Sequence, residues 1–274
     1  MKISDFSTEF EKKVREAKRQ FLLEGFAIIP EVWNIPSLDK VLHALEEVIA
    51  SAHADPVKWS EYVLWQKDIP IAQLNGIPES KMRDAFSQIY IFGDIAMHHF
   101  ELRNIILSPY CIAVAQHILG EEVICHFSNF TGRAARIGAC CQWHRDWPNS
   151  YCSTRDGFQI RLMICLDGMK SGQGATRVIP GSQHWDNARF KSWQRHKWPL
   201  EAMGKALLCP PGSLVVLGPT IVHGAEGNRS SKARRNLIAQ WGRKRDTLCM
   251  QSVESLTGYI PPMPALFHQY LGFS

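Results

Sequence analysis

The chain has 274 residues, 45% hydrophobic and 21% charged, a balance that can fill a large core and that excludes disorder, collagen-like repeats and a coiled coil. Its formal charge of +5, from 31 Lys+Arg against 26 Asp+Glu with 11 neutral His, hints at acidic ligands without the strongly basic balance of a nucleic-acid module. The charged opening Glu9-Phe10-Glu11-Lys12-Lys13 holds no signal-peptide core, and no run reaches the about 18 apolar residues of a membrane span, so a cytoplasmic protein is expected.

In chain order, residues 8 to 23 are charged and amphipathic, and Gly25-Phe26-Ala27-Ile28-Ile29-Pro30 reads as a short strand ended by proline. From Asn34 the pattern predicts a core-facing helix: Asn34 caps, Pro36 fits the first turn, and Leu38, Val41, Leu42, Leu45, Val48 and Ile49 recur at helical spacing. Residues 82 to 107 are expected to be helical with a break near Gly93, and Ser108-Pro109 through Gly120 carries both helix punctuation marks. His98, His99 and His117 fall in these helices without a partner at metal-ligand spacing, which assigns them to packing or the surface.

Beyond Gly120, short β-rich runs separated by turn residues take over: Glu122 to Phe127, Arg133 to Trp143, Phe158 to Leu166, Ala175 to Ile179, Ser213 to Leu217 and Asn236 to Trp241. Such a series predicts a sandwich or barrel. With no repeat and no linker, residues 1–274 are expected to form one domain. Its 1–120 part is mostly helical, 121–245 is a β-core with the metal site, and 246–274 is a C-terminal extension. The 8 cysteines include no CxxC pair and are expected to be reduced and mostly buried; Cys140-Cys141 stands out beside the motif that follows.

That motif is Gln142-Trp143-His144-Arg145-Asp146-Trp147. Residues two apart on a strand share a face, so His144 and Asp146 can offer a nitrogen and an oxygen to one point. A third ligand candidate, His223, comes directly after the apolar run Leu214-Val215-Val216-Leu217 and the turn Gly218-Pro219. Two histidines and a carboxylate on one face of a metal leave adjacent positions open, the arrangement of non-haem Fe(II) oxygenases. A 2-oxo acid fills two of these and O₂ the last. Zinc hydrolysis uses the same ligand types, but no HExxH-like helix is present. Arg234, at the start of Asn236-Leu237-Ile238-Ala239-Gln240-Trp241, supplies a guanidinium fork suited to the distal carboxylate of 2-oxoglutarate, although Arg229, Lys232 and Arg235 nearby also fit a plain basic loop.

Four segments together resemble the phytanoyl-CoA dioxygenase family of Fe(II)/2-oxoglutarate-dependent oxygenases: Trp143-His144-Arg145-Asp146, Gly174-Ala175-Thr176-Arg177-Val178-Ile179-Pro180-Gly181-Ser182, His223-Gly224 with Asn228, and Arg234. The resemblance implies a mainly β fold with flanking helices, a double-stranded β-helix (cupin-like jelly roll) buttressed by N-terminal helices. It also implies His144, Asp146 and His223 as iron ligands and Arg234 as the 2-oxoglutarate anchor. Gly212-Ser213 and the longer turn Gly181-Ser182-Gln183-His184 depart from the family pattern. The retained Asp146 aligns the chain with hydroxylating rather than halogenating members.

Further positions follow from strand parity and this resemblance. Met163, His126, Asn129 and Gln142 are candidates for the cosubstrate; Arg161, Arg177 and Trp147 are candidates for the substrate. The basic side chains Arg133, Arg136, Arg161 and Arg177 favour an anionic or zwitterionic small molecule. Aromatic and basic residues interleave over 184–198, which is read as a loop over the active site or against an acidic substrate, in preference to single-stranded nucleic acid. The function expected is oxidative decarboxylation of 2-oxoglutarate to succinate and CO₂, coupled by Fe(II) and O₂ to hydroxylation of an unactivated C–H bond. The alternative is a cupin-like metal protein that binds a small molecule without oxidising it and needs no Arg234. The ending Tyr270-Leu271-Gly272-Phe273-Ser274 is no peroxisomal address, which argues against a fatty acyl-CoA substrate.

Overall fold

Caps and stop residues set the first elements of the computed structural model, which describes residues 2–148, 152–196, 199 and 202–246 and the backbone of 248–249. Helix α1 (Thr8–Glu24) begins at Ser7, whose hydroxyl accepts from the Phe10 amide, and stops at Gly25 in the left-handed conformation, φ 82°. Any side chain at Gly25 would also collide with Gln183 and Ile221. Strand β1 (Phe26–Ile29) leads to α2 (Ile35–Ala54), capped by Asn34 and burying Leu38, Val41, Leu45 and Val48.

After β2 (Val63–Trp65) and the short α3 (Met82–Phe86), the chain departs from the expected helix over 82–107. Residues Ile89–Gly93 form strand β3, which pairs with the long β4 (Val123–Arg133). An apolar run as short as Ile89-Tyr90-Ile91-Phe92 carries no distinguishing period, and a neighbouring strand decides its state. Helix α4 (Phe100–Ile106) and helix α5 (Pro109–Leu119), the latter between Ser108 and a left-handed Gly120, follow the sequence pattern. Arg133 to Trp143 is not one strand either. The chain leaves β4 at Arg133, turns through Arg136 (φ 66°) and enters β5 (Cys141–His144) in a different sheet.

The remaining elements are β6 (Ser153–Thr154), β7 (Gln159–Cys165), β8 (Thr176–Val178), α6 (Asn187–Arg195), β9 (Lys205–Ala206), β10 (Ser213–Leu217), β11 (His223–Ala225), β12 (Arg234–Arg243) and β13 (Leu248–Cys249). Seven strands form the large antiparallel sheet in the order β1-β10-β7-β12-β4-β3-β2, four form the small sheet β5-β11-β8-β9, and β13 pairs with β6. Alternation gives the large sheet two apolar faces. Ala27, Ile29, Leu162, Ile164, Leu214, Val216, Leu237 and Ala239 pack with Val14, Leu45 and Val114 of the helices. Phe26, Met163, Cys165, Val215 and Leu217 face the other way and meet Ala175, Val178, Leu207 and Ile221. Two facing sheets with helices outside the larger one make the double-stranded β-helix, mainly β with flanking helices.

The stretch 184–198 is a correction. Residues 187–195 are helix α6, capped by Asp186, on the outer face of the small sheet and not a loop over its inner face. Trp185, Phe190 and Trp193 gather there against Trp143 and Val222. Arg145 and Arg189 lie over the Phe190 and Trp185 rings, so these aromatics are used in packing. Lys197 and Trp198 lie outside the described residues, as does nearly all of the expected extension over 246–274. Among the described residues no helix is long and apolar enough to cross a membrane, and the cysteines are free.

On the helix side of β12, Arg235 donates to both oxygens of Asp167 and to Glu46 of α2. Because Arg235 and Asp167 are only partly exposed, Arg235→Ala should cost about 1 to 3 kcal/mol of stability in a denaturant titration while turnover is retained. Lost turnover at full stability would contradict the assignment of Arg235 to the face away from the interior.

Candidate active site

Register brings the ligand candidates together. His144 at the end of β5 lies directly opposite His223 at the start of β11, and their rings stand 4.1 Å apart between centroids. Asp146 sits just past the strand, in a turn held by the Asp146 and Trp147 amides, which both donate to the Pro219 carbonyl at 3.1 and 2.8 Å. The turn that precedes His223 therefore also places the carboxylate. Asp146 oxygens lie 3.8 Å from His144 Nε2 and 3.6 Å from His223 Nε2. His144 Nδ1 contacts the Gln142 carbonyl at 2.8 Å and His223 Nδ1 the Ile221 carbonyl at 3.1 Å. With Nδ1–H donating to backbone, each ring turns its Nε2 lone pair inward, the tautomer a metal requires.

One ligand atom from each of the three residues lies within 4.8 Å of the others. Two imidazole nitrogens and one carboxylate oxygen are donors that suit Fe(II), and a three-donor set leaves positions for other ligands. Electrostatics agrees. Burial, then the nearby His144, pushes His223 down to about 4, so its imidazole is neutral and free to ligate. Burial alone would raise Asp146, but Arg161, then His223 and His144, hold its carboxyl below the ordinary range. Arg161 Nη1 is 3.0 Å from Asp146 Oδ1. His144 would be lowered by burial, yet Cys141 and Asp146 hold it at about 9, and a bound cation would displace that proton.

Arg234 enters the same interior from the first position of β12 and is 2% exposed. With the Asn236 amide turned so that its oxygen faces the guanidinium, Arg234 Nη1 donates to it at 2.6 Å. Its Nε has no hydrogen-bond partner, and no carboxylate among the described residues pairs with it. Such a group fits an anionic ligand, since a buried cation without a counter-charge is costly.

The other sequence candidates divide. Met163 and Asn129 are buried and lie on the interior face of the large sheet, both opposite Ile238, and the Asn129 Oδ1 has no partner among the described residues. His126 sits at a bulge in β4, where its Nδ1 accepts from Gln240 Nε2 at 3.0 Å. Trp147 is half-buried, its indole donating to the Thr154 carbonyl. Gln142 is exposed and touches Cys140. Arg177 is not brought to the cluster: it pairs with Gly224 rather than His223, takes the opposite face, and binds Glu226 at 2.6 Å. Strand parity put Arg161 on the correct face, but its ion pair with Asp146 is visible only in three dimensions.

The phytanoyl-CoA dioxygenase (PhyH) family model matches residues 21–236. The chain belongs to that family. It is accordingly an iron- and 2-oxoglutarate-dependent dioxygenase. Over 260 residues it is 26% identical to L-proline trans-4-hydroxylase of Streptomyces griseoviridis, covering 85% of this chain and 87% of that protein. It is 25% identical to the dioxygenase cdmD of Talaromyces verruculosus over 85% of this chain and 74% of that one. The fold is similar to that of SnoK, a non-heme alpha ketoglutarate dependent carbocyclase from nogalamycin biosynthesis, with a TM-score of 0.69, 18% identity and 97% of each chain covered. It is also similar to EctD from S. alaskensis, solved with 2-oxoglutarate and 5-hydroxyectoine, at a TM-score of 0.66 and 16% identity over 91% of this chain and 83% of that one.

The depressed Asp146 pKa means that ligation by its carboxylate persists as pH falls until that pKa is reached. Arg161→Met removes the largest stabilising charge, so the pKa rises. Protonation of the Asp146 carboxyl in the metal-free protein, followed by its infrared C=O stretch, should then move to higher pH. An unmoved carboxyl titration would show that Arg161 does not tune this carboxylate.

Proposed function

We propose that the protein hydroxylates an unactivated C–H bond of a small zwitterionic or anionic metabolite in the cytoplasm, with succinate and CO₂ as coproducts. The observation that carries this reading is one interior holding both a His-Asp-His cluster and, at Arg234, a buried guanidinium without a carboxylate partner among the described residues. In this reading His144 and His223 bind iron through Nε2 and Asp146 through a carboxylate oxygen, while Arg234 holds the distal carboxylate of 2-oxoglutarate. Iron with its cosubstrate supplies the oxidising power for C–H hydroxylation.

The protein's own task is placement. Arg161 keeps Asp146 ionised and fixes the direction of its carboxylate. The backbone carbonyls of Gln142 and Ile221 hold the two imidazoles in one tautomer. Asn129, whose Oδ1 has no partner among the described residues, is left to meet a bound small molecule, since Arg177 is engaged by Glu226, Arg161 by Asp146, His126 by Gln240 and the Trp147 indole by the Thr154 carbonyl. One similar protein is named for L-proline and one similar structure contains 5-hydroxyectoine, both small amino-acid-like molecules, which supports the substrate class. Free cysteines fit a reducing compartment.

The test is anaerobic reconstitution with Fe(II) and 2-oxoglutarate, read by the weak visible charge-transfer band, then addition of O₂ with a panel of amino acids and their derivatives. A protein that binds without oxidising would give no succinate above background with any of them.

His144→Ala, Asp146→Ala and His223→Ala should each abolish turnover while the far-ultraviolet dichroism stays native, because these side chains contribute to chemistry more than to packing. Full activity in one variant would remove that residue from the ligand set. Arg234→Ala should raise the 2-oxoglutarate KM by about 30-fold or more, as deleting one partner of a buried charged pair costs about 2 to 5 kcal/mol. An unchanged KM would place the cosubstrate elsewhere.

A further inference from the structure

Two arginines, not one, enter the interior at the same level. Arg133, the last residue of β4, lies directly opposite Arg234, the first of β12, so both side chains share the interior face. They are 4% and 2% exposed. The Arg133 guanidinium lies over the Tyr90 ring at 4.5 Å, and its Nη1 donates to the Gly132 carbonyl. Tyr90 is itself fixed by hydrogen bonds from its hydroxyl to Gln73 Oε1 and the Cys140 carbonyl.

Neither guanidinium has a carboxylate partner among the described residues, and the Nε of each has no hydrogen-bond partner. Like charges directly opposite each other repel, and burial without a counter-charge adds to that cost. The arrangement asks for an anion. The interior face of β12 marks the path: Gln240 lies opposite Arg161, which contacts Asp146, Ile238 lies opposite Met163 and Asn129, and the same face ends at Arg234 beside Arg133. The two arginines thus stand at the far end of a path that starts at the His-Asp-His cluster.

We propose that Arg133 is a second positioning residue for the cosubstrate, with the distal carboxylate of 2-oxoglutarate lying between Arg133 and Arg234 as the counter-charge of both. This rests on the reading of Arg234 given above. One carboxylate has lone pairs enough to accept from both forks. Arg133, stacked on a fixed ring, sets the direction of the chain between the two carboxylates, and a 2-oxo acid without the distal group leaves both cations uncompensated.

The experiment measures binding, not turnover, with the full chain loaded with Mn(II) and titrated calorimetrically with 2-oxoglutarate or 2-oxobutyrate, which shares the 2-oxo acid head and lacks the distal carboxylate. Wild type should prefer 2-oxoglutarate by about 100-fold or more, and Arg133→Met should reduce this preference about 10-fold or more while leaving 2-oxobutyrate binding within about twofold. Arg133→Lys, which keeps the charge without the fork, should fall between the two. Undiminished preference in Arg133→Met overturns the proposal and leaves the reading of Arg234 standing. No preference in wild type, or full preference in Arg234→Met, overturns that reading and this proposal with it. Should Arg133→Met fail to fold, Arg133→Lys decides, and a wild-type ratio in that variant overturns the proposal.

Discussion

The site depends on one register: β5 and β11 pair so that His144 stands opposite His223. A slip of one residue would turn a histidine outward and bring Trp143 or Val222 into the interior. Those two residues are the ones that α6 covers from outside, with Trp185, Phe190 and Trp193 packed against them. The helix far from any ligand therefore stabilises the register that makes the metal site. The same alternation on β12 sends Arg234 inward and Arg235 out to Asp167 and Glu46, so an external ion pair locks the face on which the internal arginine points.

Charge inside the fold is distributed unevenly. Near the histidines it is balanced, Asp146 against Arg161 at 3.0 Å. Toward the ends of β4 and β12 it is not, with two guanidinium groups and no carboxylate partner among the described residues. The metal end is preorganised without a ligand, whereas the far end is completed by one. Whatever anion binds there also stabilises the folded chain, because the unfolded chain offers no such pair.

Much of this was legible before any coordinates, for identifiable reasons. The ends of α1, α2 and α5 follow from Ser7, Gly25, Asn34, Ser108 and Gly120, whose effects are local. The clustering of His144, Asp146 and His223 was readable from the two-residue spacing of the first pair and the place of His223 after an apolar run, and the position of Arg234 from its place at the start of another. What escaped depends on distant neighbours. Ile89–Gly93 is a strand because β4 and β2 lie on either side of it. The interleaved aromatics of 184–198 suggested a loop over the active site or against an acidic substrate, yet Phe190 and Trp193 lie on a helix and, with Trp185, pack half-buried against Trp143. The partner of Arg161, the bulge at His126 and the opposition of Arg133 to Arg234 all come from pairings between strands far apart in sequence.

The strand order has a consequence for how the chain matures. In the large sheet β7 lies between β10 and β12, and β12 in turn joins β7 to β4. Both neighbours of β7 follow it in sequence, and the central strand is among the last elements of the described chain. A growing chain that has not yet reached residue 234 therefore holds β4 and β7 with apolar faces and open edges and nothing to join them. Closure must wait until residues 234–243 have been made, and long-range pairing of this kind is slow. Until then the unpaired strands are templates for other chains, so yield of folded protein is set by competition between β12 insertion and aggregation.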